Sequence, residues 1–146
     1  MTSSTKINNL LKHKKSFIGC FSHDFLPDLT LLNAPFPIYL IINTCKNNVS
    51  LVGHWTVLFL KDSNECFYFN SFGGRVKSQN IKQFLSQHYT HVWFSNIQIQ
   101  SHKSQKCAYF CIKFIKSVKC KIDYIRFLKY FKHIHLKQND ILVHHV

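Results

Sequence analysis

The sequence predicts one α+β domain over residues 1–146, on the strength of three observations. Short runs rich in β-branched and aromatic residues, bounded by turn residues, predict strands in the first hundred residues. Segments with apolar residues at helical spacing predict helices near the start, in the middle and in the last third of the chain. Apolar residues make up 46% of the chain and aromatic residues 15%, enough for a real hydrophobic core and too much for a disordered tail.

The first predicted elements are a helix and a strand. A short helix is expected over residues 5–14, with Ser4 or Thr5 as its N-cap. The β-rich run IYLIIN at 38–43 follows a proline and predicts a strand. Between the two, Pro27 and Asp28 supply turn chemistry.

A hairpin, a helix and a further strand are expected next. Two apolar runs at 54–61 and 65–70 flank the polar sequence DSNE and predict a β-hairpin that ends at two glycines. Ser78 is a natural cap for a helix over 78–89, where apolar residues recur at helical spacing. The segment 91–100 returns to strand character.

Two amphipathic helices are predicted in the last third of the chain. The first spans 106–118, with a continuous apolar face and lysines on the other side. The second spans 122–136, with an aspartate in its first turn. The final ten residues are expected to be frayed.

The chain carries a large excess of positive charge. Nineteen Lys and Arg residues face six Asp and Glu residues, a formal net charge of +13. Such an excess favours a polyanionic partner such as DNA, RNA or an acidic membrane surface. The alternative is a lysine-rich surface that only keeps the protein in solution, since lysines occur in almost every segment.

Neither a membrane span nor a metal centre is predicted. No apolar run approaches the roughly 20 residues that a spanning helix needs, and the polar N-terminal segment has no signal-peptide core. Six cysteines are spread along the chain unlike a secreted disulfide framework, which favours reduced thiols inside a cell. The chain has no CxxC pair, and the histidines of HIH at 133–135 would point apart on a helix, so zinc is not expected.

One histidine and one cysteine are candidates for catalysis. His54 stands at the edge of a run that otherwise suits a buried strand, and Cys107 opens the helix over 106–118. Unpaired N–H groups and the positive end of the helix dipole are expected to lower the pKa of Cys107 and favour the thiolate. A histidine on a neighbouring strand could act as its base. The structural alternative is a hydrogen-bonded histidine at the edge of the core and a small core cysteine.

Four short motifs occur in a fixed order. They are GHW at 53–55, FNSFG at 69–73, QSHKSQKC at 100–107 and AYFC at 108–111. This series resembles the adenovirus endopeptidase (adenain) family of cysteine proteases. That family has a His-Trp pair at a strand start, an acidic residue before Pro-Phe-Gly, and Gln-x6-Cys leading into a helix of the form C-G-x-F-C. The segments FIGCFSHDF at 17–25 and LIINT at 40–44 are similar to upstream segments of the same family.

The resemblance implies a role for each matching residue. His54 would be the general base, Cys107 the nucleophile, and Gln100 an oxyanion-hole donor together with the Cys107 backbone N–H. Asn70 falls at the third triad position, where adenoviral members carry an acid; asparagine can orient the imidazole but adds no charge. Ala108 stands where the family usually has glycine. The alternative for Gln100 is a surface amide on an edge strand.

The resemblance also implies a fold and a function. The fold would be a cysteine-protease fold with a central mixed β-sheet packed against the helix that bears the nucleophile. The activity would be cleavage of viral capsid and core precursor proteins, in the virion and at the nucleus or another assembly site. The related proteases of SUMO and other ubiquitin-like modifiers typically have a Gln-to-Cys gap shorter by one. Deconjugation of such a modifier, or a basic nucleic-acid-binding module that has kept the fold, are the alternatives.

Partners follow from the resemblance and the charge together. Adenoviral relatives use DNA as a cofactor, so non-specific DNA is the expected activator, with no obligatory cofactor and a monomeric enzyme. The family's peptide activator is linked by a disulfide 18 residues before the nucleophile, where this chain has Tyr89, so no such link is expected. The N-terminal cluster Lys12, Lys14 and Lys15 and a C-terminal set are the candidate phosphate contacts. The C-terminal set is Lys113, Lys116, Lys119, Lys121, Arg126, Lys129 and Lys132.

Overall fold

A mixed β-sheet lies at the centre of the protein, with helices on both of its faces. The computed structural model describes residues 2–32, 34–44, 53–131 and 135–143. Within these ranges the sheet has five strands in the order β1-β2-β3-β4-β5. The outer pairs β1–β2 and β4–β5 are parallel, and the inner pairs β2–β3 and β3–β4 are antiparallel. The predicted α+β class and the mixed sheet are confirmed.

Strands and helices are mixed along the first part of the chain, and the last three elements are all helices. The strands are β1 Phe17–Ser22, β2 Ile38–Asn43, β3 Trp55–Leu60, β4 Cys66–Phe69 and β5 Val92–Trp93. The helices are α1 Ser4–Leu11, α2 Leu29–Leu32, α3 Gln79–Ser86, α4 Cys107–Ser117, α5 Lys121–Tyr130 and α6 Leu136–Val143. In the described ranges, every helix is too short or too polar to cross a membrane.

The central strands β2, β3 and β4 are buried on both faces, which explains why β2 and β3 are almost wholly apolar. Every residue of β3 is buried. Alternate side chains of β2, β3 and β4 join a core cluster with α1, α4, α5 and α6, and the remaining ones join a second cluster with α3. A strand covered on both sides needs apolar residues at every position, because both pleat faces lie in the core.

Aromatic packing fixes α4 against the sheet. Phe69 at the end of β4 stacks on Phe114 of α4, with ring centroids 4.7 Å apart. Phe127 of α5 meets both rings edge-on. Offset and edge-to-face aromatic pairs each add about 0.5–1.5 kcal/mol beyond the burial of their area. These ring pairs pack the second half of α4 against the end of β4 and against α5.

Most predicted elements are confirmed. The hairpin is β3–β4, and α3 begins after Ser78, whose hydroxyl accepts the Ile81 N–H as predicted for a cap. The helix expected at 5–14 is α1, but its N-cap is Ser3, one residue before the expected position. Ser3 is equally suited, because its hydroxyl accepts the Lys6 N–H at 3.2 Å.

The strand expected over 91–100 is mostly wrong. Only Val92 and Trp93 pair with β4. Beyond them the backbone turns away and bonds to the loop after β4. The carbonyl of Ser95 accepts the Gly74 N–H, and the carbonyl of Ser71 accepts the Ile99 and Gln100 N–H groups. These bonds replace a strand ladder and bring residue 100 close to the end of β4.

The expectations for the C-terminal segment also need correction. The helix predicted over 122–136 ends at Tyr130, and residues 132–134 lie outside the described ranges. The final residues were expected to be frayed, but Leu136–Val143 form α6. Asn139 is buried and donates to the Ile99 carbonyl at 3.1 Å, and Val143 is fully buried in the core with α4. Tertiary contacts therefore stabilise a helix that has weak amphipathicity of its own.

Candidate active site

His54 and Asn70 meet where β3 begins and β4 ends. The strands are antiparallel neighbours, so the residue just before β3 and the residue just after β4 lie at the same end of the sheet. The His54 Nε2 atom lies 2.7 Å from the Asn70 Oδ1 atom. This is the first contact that the resemblance implies for a catalytic triad, and it joins two residues 16 positions apart.

The backbone determines which imidazole nitrogen carries the proton. Asn70 Oδ1 also accepts the Phe72 backbone N–H at 2.9 Å. Because a backbone N–H can only donate, the atom of the amide that faces it must be oxygen. The same oxygen faces His54, so the neutral imidazole must carry its proton on Nε2. Nδ1 then keeps its lone pair and can act as a base.

One aromatic contact holds the His54 ring, and a second packs behind it. Phe72 stacks on the imidazole with centroids 4.4 Å apart and the planes 19° from parallel. His102 in turn lies 5.4 Å from the Phe72 ring, centroid to centroid. Burial lowers the pKa of His54, and the hydrogen bond to Asn70 raises it by a smaller amount. The imidazole is therefore neutral near pH 7, the form that can accept a proton.

Cys107 lies against the backbone at the start of β3. Its thiol is buried and faces the backbone N–H of Trp55 as well as the N–H groups of Ala108 and Cys107 itself. Trp55 is the residue after His54, so the candidate nucleophile and base are brought to the same point of the strand. Cys111, one turn further along α4, donates its S–H to the carbonyl of the same Trp55 at 3.3 Å.

The prediction that the Cys107 pKa is lowered is wrong, because the net shift is upward. The three N–H groups favour the thiolate, as predicted for the start of a helix, but burial outweighs them and raises the pKa of the thiol. The resting pair is therefore a neutral thiol and a neutral imidazole. Such a pair transfers its proton during attack instead of beforehand.

The glycine before His54 is required by a close approach. A β-carbon placed on Gly53 would overlap the Asn43 side-chain amide, so no larger residue fits there without a shift. The backbone next to it is bonded to the end of β2. Thr44 N–H donates to the His54 carbonyl at 2.9 Å, and the His54 N–H faces the Thr44 hydroxyl at 3.4 Å. Gly53 and Thr44 together set the position from which the His54 side chain leaves the strand.

Gln100 is fully buried and tied to both sides of the site. Its Oε1 atom accepts the Ser71 hydroxyl, and its Nε2 atom donates to the Ser104 carbonyl at 2.9 Å. Ser71 follows Asn70, and Ser104 lies three residues before Cys107. The alternative of a surface amide is wrong. No part of Gln100 is exposed, so the amide can reach a substrate oxygen only after residues around it move.

Several contacts of the site could not be predicted from the sequence. Phe72 and Ser71 both lie in the FNSFG motif, but the motif alone gives no sign that one stacks on the histidine and the other holds Gln100. Trp55 belongs to the core cluster on the α4 face, and its indole donates to the Thr2 carbonyl at 3.2 Å.

Tyr89 occupies the position where the resemblance would place a peptide-linked cysteine. Its side chain is buried, and its hydroxyl donates to the Asp62 carbonyl at 2.8 Å. Among the described residues no group of three or more His, Cys, Asp or Glu side chains could hold a metal ion. His133, His144 and His145 lie outside the described ranges.

The C-terminal set of candidate phosphate contacts lies on α4, α5 and the turn between them. Burial and the nearby charge of Lys119 lower the pKa of Lys14, so the N-terminal and C-terminal lysine sets approach each other here. Lys121 lies over the Trp93 ring of β5, 3.7 Å from its centroid. The other described members of this set are Lys113, Lys116, Arg126 and Lys129. Lys113 is partly buried, and the other three are exposed. Lys132 lies outside the described ranges.

No family model matches this chain, and no curated protein matches it either. The assignment of the site therefore depends on its own geometry and on the residue pattern.

The neutral resting pair gives a testable pH dependence. Because the Cys107 pKa is raised above its usual 9.0, alkylation of this thiol by iodoacetamide should keep accelerating as the pH rises past 9. Asn70→Asp places a carboxylate beside the His54 Nε2–H and stabilises the imidazolium, so alkylation should begin at lower pH and be faster at pH 7. Asn70→Ala, which removes only the orienting oxygen, is the control and should not shift the profile to lower pH. Superimposable profiles for the unmodified chain and the Asn70→Asp variant would contradict this account of the pair.

Proposed function

We propose that this protein is a cysteine endopeptidase that cleaves capsid and core precursor proteins of a DNA virus or a related mobile element. The observation that carries the proposal is the hydrogen bond from His54 to Asn70, with Cys107 packed against the residue next to His54. The order of motifs that resembles the adenain family supports the same interpretation. The virion and the nuclear or other assembly site of the virus are the proposed places of action.

The first chemical step is attack by sulfur. The Cys107 Sγ atom forms a bond to the scissile carbonyl carbon, and the thiol proton passes to His54 Nδ1. The electron pair of the C=O π bond moves to oxygen and gives an oxyanion. Asn70 holds the imidazole through Nε2–H, so the lone pair that accepts the thiol proton is on Nδ1.

The second step releases the amine. The electron pair returns from the oxyanion, the C–N bond breaks, and His54 gives its proton to the leaving nitrogen. The acyl-enzyme is then hydrolysed by water through the same base. The Cys107 N–H at the start of α4 and one N–H of the Gln100 amide are the proposed oxyanion donors. Each such donor contributes about 2.7–4 kcal/mol in the transition state.

The proposed partner in addition to the substrate is non-specific DNA, bound as an activator through the lysines of α4 and α5. The net charge of +13 and the approach of Lys14 to Lys119 favour this. Phosphate contacts alone give affinity without sequence preference.

The test is whether a substrate-like aldehyde protects Cys107. The folded chain is treated with iodoacetamide, with and without a peptide aldehyde ending in Gly-Gly, and the labelled cysteines are mapped by mass spectrometry. The aldehyde should block labelling at Cys107 alone. Cys120, which is partly exposed and far from His54 in the chain, is the internal control and should label equally in both samples.

The outcomes separate the candidate functions. Protection of Cys107 together with cleavage of Gly-containing precursor peptides supports the endopeptidase. Protection together with cleavage only after the C-terminal Gly-Gly of a ubiquitin-like protein would indicate a deconjugating protease instead. A native fold in which the aldehyde does not protect Cys107 would leave the basic nucleic-acid-binding module as the better interpretation.

A further inference from the structure

Ser71 and Gln100 form a fully buried polar pair beneath the candidate active site. The Ser71 hydroxyl donates to Gln100 Oε1, and the Gln100 Nε2 donates to the Ser104 carbonyl at 2.9 Å. Both residues are fully buried. The pair is reinforced by the backbone, because the Ser71 carbonyl accepts the N–H groups of Ile99 and Gln100 at 2.9 and 3.1 Å.

The partners determine which way the Gln100 amide faces. The Ser104 carbonyl can only accept, so the NH2 end of the amide must point at it. The oxygen end then faces Ser71, whose hydroxyl must donate. With one N–H bound to Ser104, a single N–H of Gln100 remains, and the plane of the amide fixes its direction.

We infer that Ser71 is a positioning residue that fixes the orientation of the Gln100 amide, from which the remaining N–H is donated to the substrate oxyanion once the residues that bury it move aside. The inference depends on the proposed function, since it assigns Gln100 its role in that reaction. The residue pattern that this chain resembles has proline at the position of Ser71, and proline has no hydroxyl. The support therefore comes from this chain's own residues.

The pair also connects the two halves of the site. Ser71 follows Asn70, which holds the base, and Ser104 lies in the loop that leads into Cys107. A displacement of the Gln100 amide would leave the Cys107–His54 proton transfer in place and would weaken only the stabilisation of negative charge on oxygen. Such an effect appears in kcat and hardly in substrate binding.

The test compares turnover with thiol reactivity in the full chain. Ser71→Ala should lower kcat for a cleaved peptide by about 10–100-fold with KM little changed. Gln100→Ala should lower it by about 100-fold or more. The double variant should match Gln100→Ala alone, because Ser71 acts only through the amide. Alkylation of Cys107 by iodoacetamide forms no oxyanion, so its rate should be the same in Ser71→Ala as in the unmodified chain.

Two further measurements separate positioning from a loss of folding. Ser71→Thr keeps the hydroxyl and should recover most of the turnover, and Ser71→Gly is a second hydroxyl-free variant if the alanine variant does not fold. In ¹⁵N-labelled protein, the Gln100 side-chain NH2 should be protected from exchange in the unmodified chain and in Ser71→Thr, and exposed in Ser71→Ala. The NMR result does not require activity, so it tests the buried pair even if the proposed protease function fails.

Unchanged kcat in folded Ser71→Ala would overturn the inference. A double variant whose loss of kcat is the full sum of the two single losses would also overturn it. So would equal exchange protection of the Gln100 NH2 in the unmodified chain, Ser71→Thr and Ser71→Ala. A chain that neither cleaves peptides nor is captured by the aldehyde, while the exchange pattern holds, would instead overturn the proposed function and with it the catalytic part of the inference.

Discussion

Replacing Cys107 by alanine is expected to abolish peptide cleavage, with a loss of about 10⁴-fold or more, because no other group can form the acyl-enzyme. Labelling at this position and protection by the aldehyde should disappear with it. The fold should remain, since alanine fits a site where the thiol makes no bond that the core requires. Activity is measured on a Gly-containing peptide, and folding by thermal denaturation.

Cys111→Ala is the matched control for this experiment. Cys111 lies one turn further along the same helix and is fully buried, and its S–H donates to the Trp55 carbonyl at 3.3 Å. Its replacement should lower the free energy of unfolding by about 1 kcal/mol and leave cleavage largely intact. Cleavage that survives in Cys107→Ala but not in Cys111→Ala would move the nucleophile to the second cysteine and contradict the proposed site.

The sequence was most informative where local pattern and tertiary packing agree. The runs at Trp55–Leu60 and Cys66–Phe69 contain only residues that suit a doubly covered strand, so the hairpin could be predicted from them. Cys107–Ser117 has apolar residues on most of its circumference because α4 packs against the sheet and against three other helices, α1, α5 and α6. In these segments the same residues favour the local strand or helix and also pack in the hydrophobic core.

The errors lie where long-range bonds outweigh local preference. Residues 94–100 have strand character, yet their backbone bonds to the turn after β4, a partner that no local signal specifies. Helix α6 is held by Asn139 and Val143 against parts of the chain far away in sequence. A prediction from spacing alone includes neither contact.

In the candidate site, too, local pattern identified the residues, whereas their environment depends on long-range contacts. The order of the motifs brought His54, Asn70, Gln100 and Cys107 together as candidates. Burial, which depends on the whole fold, then reversed the expected pKa shift of Cys107 and ruled out the alternative of a surface amide for Gln100. The role of Ser71 depends on a single side-chain contact across 29 residues, which spacing cannot indicate.

Binding of duplex DNA is expected to weaken steeply with salt. A protein that neutralises Z phosphates loses affinity with a slope of about 0.9Z in log K against log salt. If each of the six described members of the C-terminal set neutralises one phosphate, affinity should fall about 10³-fold between roughly 50 and 200 mM salt. The affinity should not depend on sequence, because phosphate contacts carry no base information. Fluorescence anisotropy of two unrelated duplexes across a salt series measures both properties.

A pair of charge-matched variants locates the DNA surface. Lys116 and Lys119 are exposed at the end of α4 and just after it, whereas Lys77 and Lys82 are exposed before and within α3 on the opposite face of the sheet. Replacing the first pair by glutamine should reduce the salt slope by about 1.8, that is about 0.9 for each phosphate that is no longer neutralised. Replacing the second pair removes the same net charge and should leave the slope unchanged. Equal effects of the two pairs would mean that DNA responds only to the net charge of +13, and no binding at low salt would mean that the lysines serve solubility alone.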